Sequence, residues 1–548
     1  MTILTLNKKQ LESKIGKMTE DLQNKISMFG TPIEEVTDNE VSIEVFPNRP
    51  DLLSFQGFVR AITAFLKKPG LKTYKVEKPQ KDYQVTIENS VKKVRPFTAC
   101  AIIKGLKFDE EKIKEVVEIQ EKLHGSYGRN RKKLAVGVYP LEEITLPIKF
   151  LALKPESIRF QPLEFPREIN GRQILSQHPT GREYGHLLEG ADIYPIFIDG
   201  AGEVLSMPPI INSHKTGKIN EKTKDIFIEC SGFHKEYLKK TLNMIVTALA
   251  DMGGKIYAME VIDKTKEISP QLSPEKMPFS IEYINKNLGL DLKEKEIKSL
   301  LAKMGIGYVK EKNKPTALIP AYRTDILHEV DLVEEVAIAY GYDKFDPIIP
   351  KISTIGQEDP ESIKKRKIAQ ILAGLGLQEI STYHLSTKEK QFKKINKDYK
   401  SADIIEVIDS KTENNILRNS LLANSIQILS ENSDASYPQK IFELGRIFFT
   451  DNKTETGVEE SENLCITLCH EKANFTELKQ ILDYLMRMLD KKYEMKETSH
   501  PSFIEGRCGK ISIDNKDIGI IGEIKPIVLK NNKIKMPTAS IEIKINAF

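Results

Sequence analysis

Asp331, Glu334 and Glu335 stand at i, i+3 and i+4 in the stretch RTDILHEVDLVEEVAIAYGYD, so one helical face would carry three carboxylates. Asp325 lies six residues before Asp331, near enough to fold back beside them. Like charges that close repel and raise one another's pKa unless a cation intervenes. Oxygen donors without His or Cys point to Mg²⁺ rather than Zn²⁺. The plain alternative is a solvated acidic helix face.

A second cluster follows a stiff Pro208-Pro209 pair: Asn212, Ser213, His214, Lys215 and Thr216 in succession. Delivered by a hairpin, these polar groups could line a small pocket, with Thr223 and Glu229 adding hydrogen bonds. The alternative is an ordinary polar surface loop. Several other chemistries lack their signatures. The sequence contains no phosphate loop of the form G-x-x-x-x-G-K-[ST], no dinucleotide G-x-G-x-x-G and no G-x-S-x-G nucleophile elbow. The basic run Lys364–Lys367 can meet phosphate or an acidic partner, or simply face water. Cys465, Cys469 and His470 lack a second ligand pair, and Leu464, Ile466 and Leu468 alternate as in a strand.

These residues need elements to hold them. The N-terminal stretch reads as an α+β unit. Val41, Ile43 and Val45 alternate, FPNRPD breaks the strand, and Asp51 is positioned to cap the helix LLSFQGFVRAITAFLKK. The next block is strand-rich, with IFIDGAGEVLSM as a hairpin turning at Gly200 and Gly202. It closes with one strong helix, KEYLKKTLNMIVTALADMGG. A Lys-, Ser- and Pro-rich linker, KTKEISPQLSPEKMP, leads to three short helices around the strand ALIPAYR, a winged-helix-like pattern. The remainder reads as an antiparallel sheet with helices against it. The expected domains are therefore 1–85, 86–265, 268–347 and 351–548, in an α+β chain.

The composition agrees with several globular domains. The chain has 548 residues, enough for about three to four domains. It holds 82 Lys+Arg against 78 Asp+Glu, a net charge of +4, which argues against a polybasic nucleic-acid binder. Hydrophobic residues make up 40%, so disorder as the main state is excluded. Five cysteines suit a reducing cytoplasm, and neither a membrane span nor a signal-like start is expected.

The order of motifs resembles the beta subunit of phenylalanine–tRNA ligase in its shorter archaeal and eukaryotic-cytosolic form, over essentially the whole chain. It is carried by FPNRPDLLSFQGFVRAI, GRNRKKLAVGVYPLEEI, HPTGREYGHLLEG, VLSMPPIINSHKTGKI, DIFIECSGF and PAYRTDILHEVDLVEEVAIAYGYD. LRNSLLANSIQILSEN, KIFELGRIFF, HPSFIEGR and IGIIGEIKP complete it.

The resemblance implies a cytoplasmic assembly of two alpha and two beta subunits. There the alpha subunit joins L-phenylalanine to ATP and then to its tRNA. It implies that residues 351–548 form a class II synthetase-like domain without a working active site. It implies Mg²⁺ on Asp325, Asp331, Glu334 and Glu335. It further implies that the central block hydrolyses mischarged Tyr-tRNA, with Asn212, Ser213, His214, Thr223 and Glu229 as pocket candidates. There His214 would orient a water or contact the tRNA terminus, and Glu229 would accept the tyrosine hydroxyl. Long bacterial members carry an oligonucleotide-binding insert and an anticodon-binding domain that this sequence lacks, so anticodon contacts are expected from the alpha subunit. The rival readings are an assembly subunit without editing, or a free-standing RNA-binding or deacylating protein.

Overall fold

Alternate residues of the strand Ile226–Gly232 divide between two cores, and this division organises the N-terminal half of the molecule. Successive strand side chains point to opposite faces. Ile226, Ile228 and Cys230 enter one core, while Phe227 enters another. Glu229 shares the face of Phe227, so a carboxyl is carried into the interior by strand geometry alone. The sheet is covered on both sides, and its central strands are therefore near-continuous apolar runs.

The computed structural model describes residues 2–350, 354–399 and 404–547. The chain forms two compact units, residues 1–349 and 350–548. In the first, the large sheet has eleven strands. Its path runs Ile211–Asn212, Val204–Met207, Tyr194–Ile198, Ile148–Leu153, Gln84–Ile87, Lys255–Ile262, Phe97–Lys104, Ile226–Gly232, Leu134–Pro140. Lys266–Ser269 and Val76–Glu77 also pair with Lys255–Ile262. The helix Lys235–Asp251 packs against the strands Phe97–Lys104 and Ile226–Gly232 and fills the first core.

Two smaller sheets complete this unit. Thr2–Asn7, Glu40–Val45 and Ile33–Val36 form an antiparallel sheet, with Val41, Ile43 and Val45 buried as their alternation predicts. The helix Phe55–Lys67 is capped by Ser54, whose Oγ accepts from Gly57 N at 3.0 Å. Asp51, expected in that role, is instead held by Arg49 at 2.9 Å through both oxygens. Glu275–Pro278, Lys314–Ile319 and Gly307–Glu311 form the third sheet, surrounded by the helices Ile281–Leu288, Glu294–Lys303 and Glu329–Tyr340. The sequence suggested a single strand there and a linker before it. That linker instead supplies the strands Lys266–Ser269 and Glu275–Pro278, because sheet edges take polar residues that lack any apolar signal. One core runs from Leu4 to Ala339, so the segments 1–85, 86–265 and 268–347 share a common interior.

In the second unit the sheet order is Gln378–Glu379, Gln439–Thr450, Val458–Cys469, Thr538–Lys544, Lys516–Ile524, Phe503–Ile513, Glu494–Glu497. Its first pair is parallel and the rest are antiparallel. Leu464, Ile466 and Leu468 face the core containing the helices Pro360–Gly374 and Phe475–Met488. Cys465 and Cys469 face the other way, into cores that contain residues of Leu421–Glu431, and all five cysteines are free and buried. The start expected at 351 lies outside the described residues. Among the described residues no helix is long and apolar enough to cross a membrane.

The helix Glu110–Gly125 meets the start of Phe55–Lys67 through Glu115, whose Oε1 accepts from Gln56 N at 3.1 Å. Burial lifts the Glu115 carboxyl from 4.5 to about 7, with the hydrogen bond from Gln56 opposing. An acid raised on folding is costly once ionised. Stability is therefore full below about pH 4.5 and falls as pH rises to about 7. Glu115→Gln should stabilise the protein by about 1–3 kcal/mol at pH 8. Denaturant unfolding should show that gain vanishing toward pH 4.5.

Candidate functional site

Glu229 is 2% exposed, between Gly137 on one neighbouring strand and Cys100 on the other. Its Oε1 lies 3.2 Å from Tyr139 Oη, and Tyr139 Oη lies 3.4 Å from Asn212 Oδ1. Among the described residues Glu229 Oε2 is buried without a hydrogen-bond partner. Burial raises the carboxyl to about 8, while Arg95 and the Tyr139 hydroxyl pull the other way. At neutral pH Glu229 is therefore mostly a carboxylic acid, able both to donate and to accept. Arg95 is itself 2% exposed and is lowered to about 10 by burial, with Glu229 opposing. It is tied to Ser231 through Nε–Oγ at 3.1 Å and Nη2–O at 2.7 Å.

Gly137 makes this arrangement possible. A Cβ there would stand 2.1 Å from Tyr139 Oη and 2.7 Å from Glu229 Oε1. Any side chain would fill the space that the two polar groups share. The cleft above them is lined by His124, Arg131, Ser206, Pro209, Asn212 and Glu229, among others. His124 is buried, and its Nε2 accepts from Val136 N at 2.8 Å. That contact leaves the ring proton on Nδ1, which meets Glu121 Oε1 at 3.2 Å. Burial lowers the His124 pKa, with the Glu121 hydrogen bond opposing, so the ring is neutral.

Of the five pocket candidates, the structure brings Asn212 and Glu229 together. Ser213, His214 and Thr223 do not line the cleft. Ser213 is buried in a bridge to Pro162 and donates its N–H to Leu205 O. His214 Nδ1 accepts from Glu164 N at 3.3 Å, and its own N–H goes to Gln161 O. Thr223 Oγ1 accepts from Asn220 N at 3.2 Å and organises a turn. The reason is geometric: a run of adjacent polar residues on an irregular segment diverges, while strand neighbours across a sheet converge. Tyr139, Gly137, His124 and Arg131 went unread in the sequence. GRNRKKLAVGVYP, a run of Leu-, Val- and Tyr-containing strand with a central glycine, hinted at Arg131, Gly137 and Tyr139, and nothing in it pointed to His124.

The acidic cluster is assembled around a cation of the chain itself. Arg323, 2% exposed, binds Asp325 through Nε–Oδ1 at 2.8 Å and Nη2–Oδ2 at 2.7 Å. The same guanidinium binds Glu335 at 3.1 and 2.7 Å. Burial works against ionisation of Asp325, but Arg323, with Arg49 behind it, holds the carboxyl down at about 2. Asp331 Oδ2 accepts from Leu327 N and His328 N at 2.7 Å each, closing the start of the helix Glu329–Tyr340. Glu334 is exposed, and no hydrogen bond or ion pair engages it among the described residues. Its carboxyl is raised, first by burial and then by Glu335, Asp325 and Asp331. As the side chains stand, no group of three or more His, Cys, Asp or Glu converges on one metal position among the described residues. Asp331 and Glu334 are the two carboxylates not engaged by Arg323, and one or two carboxylates with waters is the usual Mg²⁺ arrangement.

A buried ion pair also sits in the second unit. Arg418 and Glu443, each 1% exposed, meet at 2.7 Å, with Thr382 bound to both.

Residues 277–342 match the tRNA synthetase B5 domain, and residues 346–545 match the phenylalanyl tRNA synthetase beta chain CLM domain. A phenylalanine–tRNA ligase beta subunit of Pyrococcus abyssi is 41% identical over 90% of this chain and 89% of its own. One from Archaeoglobus fulgidus is 36% identical over 100% of this chain and 99% of its own. The crystal structure of an N-terminal fragment of the beta subunit from Pyrococcus horikoshii superposes with a TM-score of 0.59 at 35% identity. It covers 62% of this chain and 99% of that fragment.

Removing the guanidinium would leave Asp325 and Glu335 without their buried partner. Arg323→Met is expected to destabilise the protein by about 3–5 kcal/mol in denaturant unfolding.

Proposed function

The chain belongs to the phenylalanine–tRNA ligase beta-subunit family, and from that premise we propose that it supports ATP-dependent charging of tRNA(Phe) with L-phenylalanine by a cytoplasmic alpha subunit and hydrolyses mischarged Tyr-tRNA in the Glu229 cleft. The observation that carries the second part is the buried Glu229 carboxyl with its Oε2 unpartnered. A tyrosine hydroxyl entering the cleft meets a group that can donate and accept. A phenylalanine ring entering the same place leaves that group unpaired, at a cost of about 1–3 kcal/mol. An apolar synthetic pocket rejects an added hydroxyl weakly, so the second site must favour it. Tyr139 Oη meets the carboxyl from the side and is itself within reach of Asn212 Oδ1. The neutral His124 at the cleft wall is held as an Nδ1–H tautomer by Val136 N.

The second unit supports an assembly role in a two-alpha, two-beta complex. Its largely antiparallel sheet with helices against it is consistent with a class II synthetase-like domain. Arg418 is spent on Glu443, Thr382 and the Arg446 carbonyl, so its charge is not offered to a nucleotide. The near-balanced charge is consistent with a subunit whose largest contacts are with protein, and tRNA would meet part of its surface.

We place Mg²⁺ at the acidic corner of the third segment, with Asp331 and Glu334 as its carboxylate ligands and Asp325 and Glu335 adding to the field. Bound there, the ion would offset the repulsion from Glu335, Asp325 and Asp331 that adds to burial in raising Glu334 and stabilise the helix start. It is a structural ion in this reading.

Co-expression with the matching alpha subunit tests the assignment. Wild-type complex should deacylate Tyr-tRNA, and Glu229→Met, which keeps the bulk but removes the hydrogen-bonding group, should slow that step by about 10- to 100-fold. Equal rates for the two proteins would sink the cleft. Asp331→Asn/Glu334→Gln complex should lose bound Mg²⁺ by elemental analysis, and unchanged content would overturn the metal site.

A further inference from the structure

Three consecutive residues, Arg129, Asn130 and Arg131, hold φ of 49°, 51° and 62°. Left-handed backbone costs about 1–2 kcal/mol for each residue with a side chain. A run of three persists only where its surroundings over-determine it. Here three backbone hydrogen bonds fold the loop onto the end of the helix Glu110–Gly125 and a fourth closes the loop on itself. They run from Gly128 N to Leu123 O, Asn130 N to Gly125 O, Arg131 N to His124 O and Lys133 N to Gly128 O. The effect is to turn the Arg131 side chain back toward the cleft, while Arg129 and Lys132, its neighbours in the motif, are not among the cleft residues.

The Arg131 guanidinium then joins three elements. Nη1 donates to Ile210 O at 2.8 Å and Pro209 O at 3.2 Å. Nη2 donates to Glu121 Oε1 at 2.9 Å, the same oxygen that meets His124 Nδ1. The cation also lies 4.4 Å from the centroid of the Tyr184 ring. Pro209 and Ile210 lead directly to Asn212. One planar fork therefore spans the cleft, from the wall carrying His124 to the wall carrying Asn212.

We propose that Arg131 is a positioning residue for the hydrolytic site, fixing the separation of its two walls and so the placement of Asn212 opposite Glu229. The proposal rests on the deacylation reading of this cleft. The fork geometry is what the role needs: a lysine is a point donor and cannot hold two carbonyls, a carboxylate and a ring face together. The same geometry gives the strained GRNRKK turn a purpose, because a relaxed turn would aim the side chain elsewhere.

The test uses the complex with the alpha subunit and preformed Tyr-tRNA(Phe), with wild type, Arg131→Ala, Arg131→Lys and Glu229→Met compared. Loss of positioning should lower kcat of deacylation by about 10- to 100-fold in both Arg131 variants with KM within about threefold. Free guanidinium should restore part of the Arg131→Ala rate. If Arg131→Ala proves poorly folded by thermal melting, Arg131→Lys, which keeps the charge and bulk, decides. Wild-type kcat in the Arg131 variants beside an impaired Glu229→Met overturns the proposal and leaves the deacylation reading standing. A loss confined to KM also overturns it, since it would make Arg131 a substrate contact. Wild-type rates in Glu229→Met, or no deacylation by any of the four proteins, overturn the reading itself, and the proposal falls with it.

Discussion

Taking a charge out of water is the constraint from which most of this structure follows. Three buried arginines among the described residues are answered by carboxylates. Arg323 is gripped by Asp325 and Glu335, Arg418 by Glu443, and Arg60 by Asp251 at 2.7 Å. Arg60 and Asp251 fasten segments 191 residues apart, whereas Arg323 and Arg418 take partners 2 to 25 residues away. Such pairs add little net stability over apolar packing, but each is costly to break, so they specify which segments meet. Glu229 is the exception. It is equally buried, yet one oxygen has no partner and the nearest cation, Arg95, is spent on Ser231. The carboxyl meets the constraint by holding its proton instead. An acid kept neutral at a cleft is a poor structural element and a good recognition element.

The sheet supplies the precision for that site. Glu229, Gly137 and Tyr139 lie on two hydrogen-bonded strands, so their separation is set by the ladder rather than by loop conformation. Asn212 and Arg131 come from outside that strand pair and are less rigidly placed. This explains why the loop after Gly125 carries strain and why its guanidinium binds main-chain carbonyls. Main-chain acceptors hold a fixed position that side-chain acceptors would not.

The acidic corner follows the same logic with the opposite outcome. Four carboxylates over a short stretch would repel, and the chain meets half of that repulsion with Arg323. Glu334 bears the remainder, as its raised carboxyl records. The upward shifts at Glu229 and at Glu334 thus have different origins. At Glu229 burial is opposed by nearby groups, whereas at Glu334 burial and like charge act together.

Much was legible in the sequence because it was written in local terms. Alternation of Val41, Ile43 and Val45, the hairpin at Gly202, and the helix after Lys235 depend on neighbours within one element, and they stand where their patterns put them. The order of motifs was sufficient for the family. Asn212 and Glu229 were also read as members of one pocket. Local pattern could not reveal that Asp51 pairs with Arg49, that Lys266–Ser269 forms an edge strand, or that Ser213, His214 and Thr223 turn away from the cleft. Nor could it place an arginine within the acidic cluster as its counter-ion. Sequence spacing determines which side chains share a face of one helix or strand, because backbone periodicity is local. Which faces meet, and which charges are left to find a partner, is decided by non-local pairing and burial, and these exist only once the chain has folded.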